Sequence, residues 1–318
     1  MDTKFTKNFN YYEIMKANKI STIIVTYNPD INRFKKVVYA LNNQIDKLIL
    51  VDNGSTNSNK ILNVLENKNF KTKYVLLKQN LGLAKGLNMG IRLLEKSDFV
   101  LTLDQDTIIK KNAIETIIND YKKLDKRIQK KTAIIHLNYE KMRSRLIDRF
   151  VFKSLILDKS EFKHNKNYYK NFFPVKFVIQ SGMLIKFMVI KKFKFNEALF
   201  IDQIDREYCS KITRGGFIIL KSKKILARHR LGIGIRINNQ IIRYENKARL
   251  YYFTRNSAYL LKTQKLPFLE YMLDIALFYR KYILVKGLGS IPSLIQLYIS
   301  ATVEGFMGKL GKIKELIP

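Results

Sequence analysis

The chain has 318 residues, 47% of them apolar, which is enough to bury a large core and argues against intrinsic disorder. Its 59 Lys and Arg against 26 Asp and Glu give a formal charge of +33, so at least one partner is anionic: nucleic acid, anionic lipid or a phosphorylated substrate. A single cysteine, Cys209, excludes an internal disulfide and a multi-cysteine zinc site, and is expected to be a small buried side chain in a reducing, cytosolic setting. Residues 1–19 carry no apolar signal-like run, and the most apolar late segment is interrupted by Glu270, Asp274, Arg280 and Lys281, so no membrane span is expected.

Residues 20–26 are largely β-branched and predict a strand buried on both faces, stopping at Tyr27-Asn28-Pro29. Helical periodicity follows over 30–42, then a buried strand over 47–51 that closes on Asp52-Asn53-Gly54-Ser55. A helix over 57–65, a strand over 73–77, a helix over 83–95 and a strand over 98–103 complete an alternation that predicts a doubly wound, mostly parallel α/β sheet. Farther on, the pattern predicts a helix over 110–124, strands over 132–137, 176–180 and 182–187, an acidic helix over 201–213, and strands over 216–220 and 221–227. The polar stretch 140–170 fits no pattern, and helices are predicted over 241–261, 268–285 and 291–306.

The run that ends in Leu103 delivers Asp104-Gln105-Asp106 to the carboxyl edge of the sheet, where ligands bind in α/β folds. Carboxylates at i and i+2 share a side if the strand persists, and can face a divalent cation or a sugar nucleotide; a solvated turn is the plainer alternative. The earlier strands also end in polar clusters: Thr26-Tyr27-Asn28, Asp52-Asn53-Gly54-Ser55 and Gln79-Asn80-Leu81-Gly82. In a doubly wound sheet these endings lie along one crevice.

This series resembles the family 2 glycosyltransferases of GT-A fold, and within them a bacterial rhamnosyltransferase-like branch. The matching residues are 24–28, 51–56, 80–90 and Asp104-Gln105-Asp106, then Phe195-Asn196-Glu197, residues 200–209, His229-Arg230-Leu231-Gly232, Tyr252-Phe253-Thr254-Arg255-Asn256 and the tail at 304–311. The resemblance implies that Asp52 hydrogen-bonds a pyrimidine base with Thr26 and Tyr27 lining its pocket. It places Asn80, Gly82 and Lys85 near a diphosphate and Asp104 on the ribose or diphosphate side. Asp106 and His229 would hold the metal, Mg²⁺ or Mn²⁺, that stabilises a departing nucleoside diphosphate. Asp205 matches the general base; the acid that usually precedes it is replaced by Ile204, which leaves Asp202, expected one turn earlier on the same helical face, as an acceptor-binding or substitute residue. Crowding of Asp202, Asp205 and Glu207 is expected to raise a pKa by like-charge repulsion.

The implied activity is a metal-dependent, inverting transfer of a deoxyhexose, with rhamnose from dTDP-rhamnose favoured, onto a polyprenyl-diphosphate-linked saccharide. A UDP-sugar donor carrying galactofuranose or glucose is the alternative within this class. Residues 221–255 hold ten Lys or Arg and one acid among aromatics, which keeps a nucleic-acid-binding protein as the rival class; no nucleic-acid motif accompanies them, and nucleic acid is not the expected partner. Basic and aromatic residues over 262–286 fit an anionic membrane surface. The expected organisation is an extension at 1–19, a catalytic domain at 20–235 divided at 106/107, and a basic helical extension at 236–318. The protein is expected to be cytoplasmic and peripheral on the inner face of the cell membrane.

Overall fold

In the computed structural model, which describes residues 18–66, 68–139, 169–229, 233–237 and 240–313, every residue of strand β1 (Ile20–Thr26) is buried. A strand covered on both faces belongs inside a sheet with helices above and below. β1 pairs in parallel with β2 (Lys47–Asp52) and β4 (Phe99–Asp104), and β2 pairs in parallel with β3 (Lys71–Leu76). The crossovers are α1 (Ile31–Ala40), α2 (Ser58–Leu65) and α3 (Leu83–Arg92). Asp30 starts α1 by accepting the Arg33 backbone N–H at 3.0 Å. The strand order 3-2-1-4 reverses direction between β1 and β4, so a crevice opens at their carboxyl ends.

The sheet continues through β8 (Met183–Lys186), β6 (Thr132–Tyr139), β9 (Ile218–Arg228) and β5 (Ile108–Ile109), with β7 (Phe172–Val175) also on β9. β8 runs antiparallel to both β4 and β6, whereas β6 and β9 are parallel. Nine strands are thus joined among the described residues, and most run the same way. Side chains alternate between two cores. Ile24, Leu50 and Leu103 pack with Phe34, Val38 and Ile61 of α1 and α2, and with Ile114 and Ile117 of α4 (Ala113–Lys122). Ile23, Ile49 and Val100 pack on the other face with Leu87 and Ile91 of α3 and with Tyr208 and Ile212. Those last two lie on a later helix. Removing a fully buried anchor such as Phe34 would cost about 3–5 kcal/mol.

Short helices α5 (Lys126–Lys131) and α6 (Phe187–Lys192) flank the sheet, and α7 (Ile204–Arg214) carries Tyr208 and Ile212. An antiparallel hairpin, β10 (Ile233–Ile237) and β11 (Gln240–Tyr244), precedes α8 (Lys247–Lys262), α9 (Phe268–Lys286) and α10 (Ile291–Met307). These helices have apolar clusters of their own and are tied to α7 by partly buried ion pairs. Arg206 meets Glu270 at 2.6 Å and Asp274 at 3.0 Å, and Lys265 meets Glu207 at 2.8 Å. Arg206 and Glu207 each have two counter-charges, so losing one partner leaves the other in place. Gly305 lets α10 approach α8 closely: a Cβ there would overlap the Arg255 carbonyl oxygen.

The structure corrects three sequence expectations. Residues 176–180 are not a strand; the strand is Phe172–Val175, an edge element that tolerates Pro174, and the chain then leaves the sheet to line the crevice. The helix expected from 241 starts only at Lys247, where the Asn246 side chain accepts the Arg249 N–H at 2.9 Å, and residues 241–244 pair in β11. The acidic helix starts at Ile204 rather than 201, because Phe200, Asp202 and Gln203 take positive φ values of 60°, 60° and 59°. Asp202 therefore lies before the helix and shares no helical face with Asp205. Residues 140–168, including His164, and nearly all of 1–19 lie outside the described residues.

Candidate active site

The crevice between the ends of β1 and β4 widens into a cleft of about 630 Å³ whose lining includes Thr26, Tyr27, Asn53, Asn80, Gly82, Asp104, Asp106, Asp202, Asp205 and His229. Asp104 is the last residue of β4, and Asp106 sits in the turn that follows. Gln105, between them, is tied to Tyr27: its Oε1 accepts the Tyr27 N–H at 2.8 Å, and its Nε2 donates to the Tyr27 carbonyl at 3.3 Å. Thus the middle residue of the motif links the two strand ends that frame the crevice.

His229 follows β9 and turns its ring toward the two carboxylates. Its Nε2 lies 3.8 Å from Asp104 Oδ2 and its Nδ1 lies 3.6 Å from Asp106 Oδ1. One ligand atom from each of Asp104, Asp106 and His229 falls within 4.8 Å of the others, a spacing at which the three could share one metal ion. The Thr107 hydroxyl is hydrogen-bonded to His229 Nδ1, Ser181 Oγ donates to Thr107 Oγ1 at 2.7 Å, and the Asp104 N–H donates to Ser181 Oγ at 3.0 Å. This chain fixes the imidazole plane and leaves Nε2 facing the Asp104 carboxylate, as outer partners of a ligating histidine do. Burial pushes the Asp104 carboxyl up; nearby Asp106 adds to the rise, while His229 and Arg249 oppose it. A recessed carboxyl that resists ionisation, as Asp104 does, is one that a dication would relieve.

Asp205 occupies the first turn of α7, across the cleft. Burial pushes its carboxyl up to about 6, and Asp202 adds a smaller rise; the backbone N–H groups of Arg206 and Gln180 and the Arg206 charge pull the other way. Desolvation, not the expected like-charge crowding, is therefore the main cause. Asp202 is held by Arg249, whose Nε donates to Asp202 Oδ2 at 3.1 Å and whose second nitrogen pairs with Oδ1. Glu207 is buried and paired with Lys211 at 3.0 Å and Lys265 at 2.8 Å, so it belongs to the packing of α7 rather than to the cleft. Asn256 places the segment before α7: its Nδ2 donates to the carbonyls of Leu199, Ile201 and Asp202 at 2.8, 2.7 and 3.0 Å. The strained backbone at 200–203 persists because these bonds hold it.

Two residues matched by motif stand outside the lining. Asp52 is wholly buried, with Oδ1 accepting the Ser55 N–H at 3.0 Å and Oδ2 accepting the Tyr74 hydroxyl at 2.9 Å. Lys85 lies partly buried on α3. Asn53 takes the place at the cleft: it accepts the Leu81 N–H at 2.9 Å and donates to Asn80 Oδ1 at 3.0 Å and the Gly82 carbonyl at 3.2 Å. Gly82 has φ of 91° and sits against Phe200, where a Cβ would come within 2.6 Å of the Phe200 oxygen; only glycine closes this loop.

Several residues at or behind the cleft carry no sequence signal of their own. Thr107, Ser181, Gln180 and Arg249 gain their roles from partners dozens of residues away. Thr26 Oγ1 and Gln180 Nε2 are buried without a hydrogen-bond partner among the described residues, at a cost of about 1–3 kcal/mol each, and both residues face the cleft. His136 is buried and pushed down to about 3 by desolvation, so it is a neutral core residue, and Cys209 is buried as expected.

The comparisons with known proteins bear on the family and the fold. dTDP-rhamnosyl transferase RfbF of Shigella flexneri is 26% identical over 305 residues, covering 93% of this chain and 98% of that protein. Glycosyltransferase GlyG of Streptococcus pneumoniae serotype 4 is 26% identical over 233 residues, covering 71% of this chain and 73% of that protein. Among solved structures, S. aureus TarS 1–349 in complex with UDP-GlcNAc superposes with a TM-score of 0.53 at 17% identity, over 91% of this chain and 81% of TarS 1–349. GalNAc-T7 with UDP, GalNAc and Mn²⁺ superposes with a TM-score of 0.56 at 13% identity, over 80% of this chain and 52% of that one. At these identities the structural likenesses establish the GT-A fold alone. The profile described as Glycosyl transferase family 2 matches residues 21–193, more than half of the chain, and with the sheet and its carboxyl-end cleft it means that the chain belongs to glycosyl transferase family 2.

Proposed function

We propose that the protein is a metal-dependent, inverting rhamnosyltransferase that moves rhamnose from dTDP-rhamnose onto a polyprenyl-diphosphate-linked saccharide at the cytoplasmic face of the membrane. The observation that carries this reading is the placement of the Asp104, Asp106 and His229 cluster and Asp205 in one cleft. The near full-length likeness to RfbF supports the choice of donor.

Two carboxylates and one imidazole suit a divalent cation; the imidazole favours Mn²⁺ over the more strictly oxygen-seeking Mg²⁺. When bound there, such an ion supplies Lewis-acid stabilisation to the departing nucleoside diphosphate. Thr26, Tyr27, Asn80 and Gly82 line the donor side of the cleft and orient the nucleotide, while Asp52 acts indirectly by shaping the turn that presents Asn53. Lys85, at the start of α3, adds positive charge near the phosphates. Asp205 takes the proton of the acceptor hydroxyl, its carboxyl tuned by burial toward the working pH. Asp202 contributes by anchoring Arg249 at the cleft wall. Residues 20–235 would serve as the catalytic unit and 236–318 as the extension that meets an anionic bilayer; no described helix is long and apolar enough to cross one.

The test is a transfer assay with dTDP-rhamnose, UDP-glucose and UDP-galactofuranose, each with Mg²⁺ or Mn²⁺ and a polyprenyl-diphosphate-linked saccharide, read by mass and anomeric configuration of the product. Turnover of dTDP-rhamnose with inversion is the expected result. Turnover of UDP-sugars alone would overturn the donor, and salt-sensitive nucleic-acid binding without any sugar turnover would overturn the activity.

A further inference from the structure

Helix α10 has its apolar residues on the wrong side for a protein surrounded by water. Its inward face, Leu294, Leu297, Ala301 and Gly305, is buried. Its outward face is also apolar apart from Gln296: Ile295, Ile299, Val303, Phe306 and Met307 recur at intervals of three or four residues, and Leu288 is exposed in the turn before the helix. Ile299 is 56% exposed and Met307 63%. The helix contains one acid and no base, and that acid, Glu304, is turned to the Tyr251 hydroxyl. Soluble proteins seldom leave a continuous apolar stripe of this length in water, and such a stripe marks a surface that something covers.

The lysines around the stripe say what covers it. Lys286 ends α9 just before Leu288, and Lys309 and Lys312 follow the helix, all exposed. Lys262 is also exposed and donates to the Phe306 carbonyl at 2.7 Å. Both ends of an apolar helix of 17 residues, about 25 Å long, are therefore positively charged. This is the pattern of a helix lying in the plane of an anionic bilayer, with apolar side chains among the acyl chains and lysines on the phosphates. A second copy of the chain is a poorer partner, since two such faces would oppose lysine to lysine. The contact of α10 with α8 holds the helix flat rather than free to insert end on; Tyr271 of α9 is hydrogen-bonded to Tyr298 of α10 at 3.3 Å, and Phe268, Leu269 and Met272 of α9 are exposed as well.

We propose that the outward face of α10 is the surface that seats the protein on anionic lipid. This rests on the reading that the acceptor is lipid-linked, and it shifts the contact from the basic segment 262–286 to the α10 stripe. The test is co-sedimentation of the full chain with vesicles of phosphatidylglycerol and phosphatidylethanolamine, against vesicles of phosphatidylcholine alone. The combined variant Ile295→Gln, Ile299→Gln, Val303→Gln should bind the anionic vesicles at least ~30-fold more weakly. The variant Lys309→Gln, Lys312→Gln should lose about fivefold per lysine on anionic vesicles and nothing on phosphatidylcholine. Both should keep the wild-type melting temperature and turn over donor with a water-soluble acceptor. The proposal is overturned if the wild type ignores anionic vesicles, if the triple variant binds like wild type, or if the wild type is a dimer that the triple variant converts to monomer. Failure of the wild type to turn over any nucleotide sugar would instead overturn the reading of the cleft, and is measured separately from vesicle binding.

Discussion

Gln105 grips Tyr27 from both sides, accepting its N–H and donating to its carbonyl, so the loops after β1 and β4 form one rim of the cleft. Replacing Gln105 by Ala removes both bonds at a partly exposed site, which should change stability by no more than about 1 kcal/mol. The rim would loosen, and the KM for the nucleotide sugar should rise roughly tenfold with a smaller change in kcat. Equal losses in melting temperature and in kcat would show that Gln105 is merely structural.

Asp106 offers its carboxylate to the same point as Asp104 and His229. Asp106→Asn keeps the size and removes the charge, so Mn²⁺ binding followed by calorimetry should weaken at least tenfold, and transfer should fall by ~10²-fold or more. Chelation of the wild type should abolish transfer, with recovery on adding Mn²⁺. Full activity in chelator would end the case for a metal.

Burial raises the Asp205 carboxyl to about 6, and the sign of its effect follows. A carboxyl that binds its proton more tightly when folded than when unfolded stabilises the fold below about pH 4, and that contribution is lost as the pH rises to about 6. Asp205→Asn should therefore raise stability at pH 7 by on the order of 1–3 kcal/mol while abolishing transfer. In the wild type the carboxylate is the active form, so kcat/KM should fall as the pH drops through about 6. A rate profile flat from pH 5 to 8 would remove Asp205 from the base role.

Asn256 gives one amide nitrogen to three carbonyls. Asn256→Ala should cost ~2–4 kcal/mol, read by denaturant unfolding, and Asn256→Asp should cost more, because it turns a carboxylate toward the same oxygens. An Asp variant as stable as wild type would mean that the loop at 200–203 is held by other contacts.

How much of this was legible beforehand follows from where each signal lives. The buried β-branched runs of β1, β2 and β4, and the polar endings that mark their carboxyl edge, are local patterns, and they led to the sheet that forms and to the edge where its cleft opens. Ile241 and Ile242 suit a strand as well as a helix, and pairing with β10 decided between them. Asp202 looked helical by spacing, yet Asn256, far along the chain, bends the backbone away from helix. Asp52 was matched by motif, but its carboxylate is claimed by Tyr74 on the neighbouring strand. Long-range hydrogen bonds of this kind leave no periodicity in a sequence.

Arg206 follows Asp205 directly and is clamped by Glu270 and Asp274, 64 and 68 residues later. The side chain proposed to accept the proton is thus registered against α9, like a part located by a dowel in the piece it faces. A chain cut after α8 would keep its nucleotide half but leave the guanidinium beside Asp205 without its two counter-charges, and the position of the carboxylate would go with them.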